Sequence, residues 1–361
     1  MPGLPDTGRR NVKTTMLKPG IHLQGGRGGA ARREAGPVAA VGARLWRLAP
    51  ALVATVALAQ APAAHGGPPP PRILCSTFPI HQIMRYVTQG RAGLELSLLL
   101  PAGLGCPHDY ALTPQDLRRI GDADVLVING RGLDEFLGAP AVKAHPRLTV
   151  IDSAAGLETE GDGGPELHDD EAHEGEGDEG QDRHHAHADG NPHLFASPRQ
   201  AARLARNLAD ALKRLDPDGA QLYDRNAQAF SARLTALAGE FARLGRTIGC
   251  RRVVAQHDVF EFLAQDMGME VVGVVQRHPG ENPSAAEMLA LVKRIRATGA
   301  QAVFIEPQYA ADVATTVARE ARVPVVALDP LATGPDEAPP DYYETVMRRN
   351  LDALRKTLGG P

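Results

Sequence analysis

The stretch DGAQLYDRNAQAFSARLTALAGEFARLGRTIG, Asp218 to Gly249, limits the fold more than any other segment. Leu222, Ala227, Phe230, Leu234, Leu237 and Phe241 recur at three- to five-residue steps, the spacing of one apolar helix face. A helix of about 30 residues extends about 45 Å at 1.5 Å per residue. On either side of it, short apolar runs alternate with amphipathic segments. Before it, RILCSTFPI (Arg72 to Ile80), LELSLLLP (Leu94 to Pro101), DVLVING (Asp124 to Gly130) and LTVID (Leu148 to Asp152) read as strands. After it come RRVVAQ, MEVVGVVQ, AVFIEP and VPVVALDP, between Arg251 and Pro330. Strands alternating with helices define an α/β fold with a mostly parallel sheet. The expectation is therefore two lobes, each a mostly parallel sheet flanked by helices, joined by one long backbone helix that acts as a strut. Ligands in such folds lie at the carboxyl ends of the strands, in the crevice between lobes.

Helix starts are marked by capping chemistry. Thr113-Pro114-Gln115-Asp116 offers an N-cap, a first-turn proline and an acid near the positive helix end. Ser197-Pro198 repeats the first two features, and Ser284 with Glu287 forms an S-x-x-E capping box. Upstream, ARLWRLAPALVATVALAQAPAAHGGPPPPR (Ala43 to Arg72) has the order of a secretory signal: basic residues, a short apolar run, small residues. The apolar run is shorter than the roughly 20 residues that span a bilayer. Ala61-Pro62-Ala63 provides an A-x-A cleavage pattern, and no cysteine follows that would make a lipid anchor evident. We expect a leader with an N-terminal extension over 1–63, a first lobe over 64–215, a linking helix over 216–248 and a second lobe over 249–361. Export to an oxidising compartment, most simply a bacterial periplasm, follows. A formal net charge of -4 without a basic stripe argues against nucleic acid as a partner. Cys75, Cys106 and Cys250 contain no CxxC pair and allow at most one disulfide.

Between Glu158 and Asp189 the composition changes to thirteen acids and five histidines with almost no apolar residues. Such a segment cannot bury enough surface to offset its ordering entropy, so a disordered loop over 158–190 is expected inside the first lobe. Its histidines, His168, His173, His184, His185 and His187, form a candidate low-affinity metal site.

Three other histidines stand in rigid, turn-flanked contexts. His108 in GLGCPHDYALTPQD and His193 in GNPHLFASP each precede a capped helix, and His257 in VVAQHDVFEF ends a strand. Asp329 in VVALDPL ends another strand, where an Asx-turn is the competing explanation. A single histidine at a strand end is ordinarily a hydrogen-bonded turn residue, but three of them spread over both lobes point to a metal. Three neutral imidazoles and a carboxylate suit tetrahedral zinc, whereas manganese takes more oxygen donors. Zinc held there would favour a closed arrangement of the lobes. No HExxH helix and no G-x-S-x-G elbow is present, which argues against a hydrolase.

PHDYALTPQDL (Pro107 to Leu117), NPHLFASP (Asn191 to Pro198), QHDVFEFLAQDMGMEVVGV (Gln256 to Val275), VFIEPQ (Val303 to Gln308) and VVALDPL (Val325 to Leu331), in this order, resemble the signature segments of zinc-type periplasmic substrate-binding proteins of metal ABC transporters. The likeness runs from about Arg72 to Leu358. It implies a monomeric, non-catalytic receptor that captures Zn2+ between the lobes and delivers it to a membrane permease. His108, His193 and His257 match the family's ligand histidines. Asp329 matches its C-terminal aspartate, which binds directly or cedes its place to water. Manganese-type relatives carry a carboxylate at the position of His257, so histidine there favours zinc, as does the His- and acid-rich loop. The alternatives are a manganese or iron receptor of the same family, or a metal buffer acting through the loop. Cys106 departs from the pattern: it either enters the shell, pairs with Cys75, or is a free structural thiol, and it is left outside the expected ligand set. Glu306 is expected behind the ligands or in a structural role.

Overall fold

The computed structural model describes residues 69–107, 110–157, 190–276 and 283–359. The expected leader, the five loop histidines and His108 lie outside these residues.

In the first lobe, β1 (Arg72–Cys75), α1 (Phe78–Thr88), β2 (Glu95–Leu98), α2 (Pro114–Asp122), β3 (Val125–Ile128), α3 (Glu135–Ala144) and β4 (Thr149–Asp152) follow one another. Two long helices come next, α4 (Pro198–Leu215) and α5 (Ala220–Ile248). The second lobe comprises β5 (Arg252–Ala255), α6 (Glu261–Asp266), β6 (Glu270–Val274), α7 (Ala285–Thr298), β7 (Val303–Ile305), α8 (Asp312–Ala321), β8 (Val325–Ala327) and α9 (Tyr342–Leu358). All strand pairs are parallel. The sheet orders, β2-β1-β3-β4 and β6-β5-β7-β8, are the same order executed twice. No helix among the described residues is long and apolar enough to cross a membrane.

The caps form as the sequence leads one to expect. Thr113 and Asp116 make a reciprocal capping box, as do Ser284 and Glu287, and Ser197 accepts from the Gln200 N–H. Several strands are shorter than the apolar runs that mark them, β2 and β8 among them, and the first run shows why. The apolar run from Arg72 to Ile80 is strand only to Cys75, because Pro79 sits in the first turn of α1 and suits a helix start. Helix α3 carries no sequence signal strong enough to be read in advance. Its N-cap residue Asp134 makes no cap bond, since its carboxylate accepts from Ser76 Oγ and from the Asn129 and Gly130 N–H groups.

Side-chain alternation sorts each strand between two layers. Ile73, Cys75, Val125 and Val127 point into a core shared with α1, α4 and α5, while Leu74 and Leu126 face the other way, towards α2 and α3. The second sheet repeats this: Val253, Ala255 and Phe304 enter the same central core, and Val254 and Val303 join the cluster under α7 and α8. One apolar core therefore runs from β1 through α4 and α5 to α9. The face read from the sequence lies in it, with Phe230, Leu234 and Phe241 fully buried and Leu237 nearly so. Helix α5, at 29 residues, spans about 44 Å.

The strut meets the second lobe at Gly245, where a β-carbon would stand 1.9 Å from the Met267 carbonyl oxygen. Alanine there gains up to about 1 kcal/mol of helix propensity but forces backbone apart, at about 1–3 kcal/mol or more. Gly245→Ala is expected to lower the denaturant midpoint of unfolding. An unchanged or raised midpoint would show that this contact yields without cost.

Candidate metal centre at the strand ends

In each sheet the chain order reverses around the central pair of strands, and the crevice opens at their carboxyl ends. His257 follows β5 and Glu306 follows β7, on either side of the reversal in the second sheet. In the first sheet, Asn129 at the end of β3 donates through Nδ2 to the Pro192 carbonyl at 3.0 Å. This holds the turn that ends in His193, just before the 3-10 turn Leu194–Ala196 and α4. The two imidazoles meet edge to face, with ring centroids 5.1 Å apart. Both are nearly sealed from solvent, His193 at 0% and His257 at 2% exposure.

Each ring is oriented from behind. Asn191 Oδ1 lies 2.9 Å from His193 Nδ1 and also accepts the His193 backbone N–H at 2.9 Å. The amide's other end donates to the Asp258 carbonyl at 2.9 Å and to Glu261 Oε2 at 2.8 Å, both in the second lobe. With Nδ2 committed as donor, Oδ1 can only accept, so His193 carries its proton on Nδ1 and turns the Nε2 lone pair into the crevice. His257 Nδ1 faces Glu306 Oε1 at 3.5 Å, and Glu306 Oε2 accepts from Gln308 Nε2 at 2.8 Å. A carboxylate or amide behind an imidazole is the arrangement that aims a histidine at a metal and raises its basicity. Asp258 Oδ1 lies 3.3 Å from His257 Nε2 and 3.5 Å from His193 Nδ1.

Electrostatics follow from these neighbours. Burial alone lowers the basicity of His257, but the neighbouring carboxylates of Glu306 and Asp258 outweigh it and leave the imidazole above its ordinary range. Glu306, fully buried, is pushed up by desolvation despite His257. Asp329 is likewise raised by burial.

A third donor joins the two imidazoles. Cys106 Sγ lies 3.4 Å from His193 Nε2, and the ligand atoms of Cys106, His193 and His257 all fall within 4.8 Å of one another. Among the described residues these three form the group able to hold an ion. The thiol expected to stay outside is thus inside, and none of the three cysteines is in a disulfide. Asp329 stands apart from that group: its Oδ1 accepts the Leu331 N–H at 2.8 Å, the Asx-turn that the Asp-Pro sequence favours. Of the four expected ligands, two are therefore brought together, one keeps to its own turn, and His108 lies outside the described residues. Asn191 was legible only as part of the NPH turn. Its bonds to Asp258 and Glu261 span 67 and 70 residues, and no local pattern announces them.

Two doubly wound lobes packed on one core, with donors converging at the strand ends, have the architecture of two-lobed substrate-binding proteins. The family model described as "ZnuA: Zinc-uptake complex component A periplasmic" matches residues 73–357, and the chain belongs to that family. The zinc-binding lipoprotein AdcA of Streptococcus pneumoniae is 28% identical over 287 residues, which is 79% of this chain and 55% of AdcA. The chain thus spans about half the length of that relative. The high-affinity zinc uptake system protein ZnuA of Bacillus subtilis is 25% identical over 291 residues, covering 79% of this chain and 87% of that protein. Among solved structures, FpvC of Pseudomonas aeruginosa in complex with Mn2+ is 26% identical, with a TM-score of 0.64 over 80% of this chain and 98% of that one.

Replacing Asn191 by Ala removes the acceptor that fixes His193. The loss of such a partner lowers metal affinity about 10–100-fold. Competition against a chromophoric chelator measures this, and an unchanged zinc affinity would mean that His193 needs no amide behind it.

Proposed function

We propose that this chain is an extracytoplasmic receptor that captures Zn2+ between its lobes and hands it to the membrane permease of an ABC transporter. It acts as a monomer and by binding rather than catalysis. The imidazoles of His108, His193 and His257 are the proposed donors. Asp329, engaged in its own turn, stands behind a bridging water. The loop histidines His168, His173, His184, His185 and His187 gather zinc near the cleft at lower affinity. The observation that carries this reading is the convergence of His193 and His257 from opposite lobes, each with Nδ1 facing an acceptor from behind, at Asn191 and Glu306. Membership of a zinc-uptake family and the names of the streptococcal and Bacillus relatives support zinc as the cargo. The Pseudomonas relative was solved with Mn2+, so manganese is the competitor to test against. Histidine-rich donor sets favour zinc over manganese.

Calorimetric titration of the metal-stripped protein is expected to show one tight zinc site that manganese fails to displace, and His193→Ala should abolish it. Weak, multiple binding that is indifferent to His193 would overturn the receptor reading.

Protons compete with the metal for His257, whose affinity for them is raised. The proton wins as pH falls through that raised pKa, so zinc binding weakens from somewhat above the ordinary imidazole value of about 6.5 downwards. For one competing proton the loss approaches about tenfold per pH unit. Titrations from neutral to mildly acid pH measure the slope, and an affinity that stays flat across that window would exclude His257 as a ligand.

A further inference from the structure

We propose that Cys106 is a direct thiolate ligand of the captured ion, so that this receptor binds its cargo through sulfur as well as imidazole. The assignment rests on the receptor reading above and specifies its donor set. Three independent observations carry it.

The first is placement. Sγ of Cys106 lies 3.4 Å from His193 Nε2, the nitrogen that the Asn191 contact leaves as a lone pair, and within 4.8 Å of the His257 donor. A thiol donating to that nitrogen marks the place where a metal would lie between sulfur and imidazole.

The second is that the loop is built to hold the residue there. The Cys106 N–H donates to Tyr309 Oη at 3.1 Å, and Tyr309 comes from the second lobe, just after β7. Gly105 adopts φ +83°, and a β-carbon there would stand 2.3 Å from the same hydroxyl. Only glycine meets both demands. The backbone on the amino side of Cys106 is thus clamped from the opposite lobe, independently of the sulfur.

The third is the fate of the other cysteines. Cys75 lies in β1 and Cys250 just before β5, both buried in the central apolar core. Cys106 is the one whose sulfur is grouped with the donor atoms of His193 and His257.

The binding step balances simply. The S–H bond of Cys106 breaks, its proton leaves to solvent, and the sulfur lone pair forms the bond to a divalent cation, with no change of oxidation state. A thiolate favours borderline and soft ions such as zinc, cobalt(II) and cadmium over manganese. Cysteine thus adds to the discrimination that histidine alone provides.

Cobalt(II) titration of the metal-stripped protein tests the assignment, because a cobalt–thiolate bond gives an intense near-ultraviolet charge-transfer band that imidazole and carboxylate do not. The expected result is that band at one equivalent of cobalt, its loss in both Cys106→Ser and Cys106→Ala, and zinc affinity lowered at least about tenfold in the alanine variant. Far-ultraviolet circular dichroism verifies that both variants fold. The histidine-rich loop contains no cysteine and cannot supply the band. Tight, His193-dependent binding without the band, and with affinity unchanged in Cys106→Ala, would overturn the thiolate and leave the receptor standing. Absence of any tight site in the wild type would overturn both.

Discussion

The burial of α4 and α5 between the two sheets is the constraint on which the rest of the molecule depends. Phe230, Leu234 and Phe241 on α5, and Leu204, Leu208 and Leu212 on α4, are wholly or almost wholly sealed from water. They share one cluster with Ile73 and Val127 of the first sheet and Val253 and Phe304 of the second. Burying a large apolar side chain contributes about 1.5–3 kcal/mol, so this layer supplies much of the drive to fold. It also sets where the two sheets stand. With both sheets packed on that layer, the loops after β2, β4, β5 and β7 reach one another. Sheets held by separate cores would not bring Cys106, His193 and His257 within a few ångströms.

The site adds polar specificity to that apolar frame. Asn191 belongs to the first lobe, yet its donor bonds end on Asp258 and Glu261 of the second. Tyr309 belongs to the second lobe and holds the Cys106 backbone of the first. The second lobe therefore positions two donors carried by the first. Buried polar groups are costly unless satisfied, and here their satisfaction depends on the lobes being in register. That dependence ties the donor geometry to the packing of the whole chain.

Much of this was legible in the sequence because it is local. The 3.6-residue period of α5, the N-cap at Thr113, the capping box at Ser284, and the alternation of apolar runs with helices each involve residues a few positions apart. The His193 and His257 turns could be read as strand-end positions for the same reason. What escaped was either contrary to propensity or remote. Helix α3 contains Gly138 and Pro140, poor interior helix formers, and is supported instead by the burial of Leu137 and Ala141. The early start of α1 turns on one proline in an apolar run that also suits a strand. Cys106 lies 87 residues from His193, and only the third dimension makes them neighbours. Proximity to the PHDY segment was a hint, but a cysteine beside a turn is far more often a packing residue than a ligand.

Glu306 carries a consequence in terms of charge balance. It is fully buried, and desolvation leaves it, like Cys106 and Asp329, reluctant to give up its proton. A bare divalent ion entering such a cavity would be prohibitively costly. Burial therefore disfavours charge on these groups in the empty crevice, and an arriving divalent ion is the counter-charge that offsets their desolvation. Capture of the ion and release of protons are coupled there, because the same event that brings positive charge in makes the buried carboxylates easier to ionise.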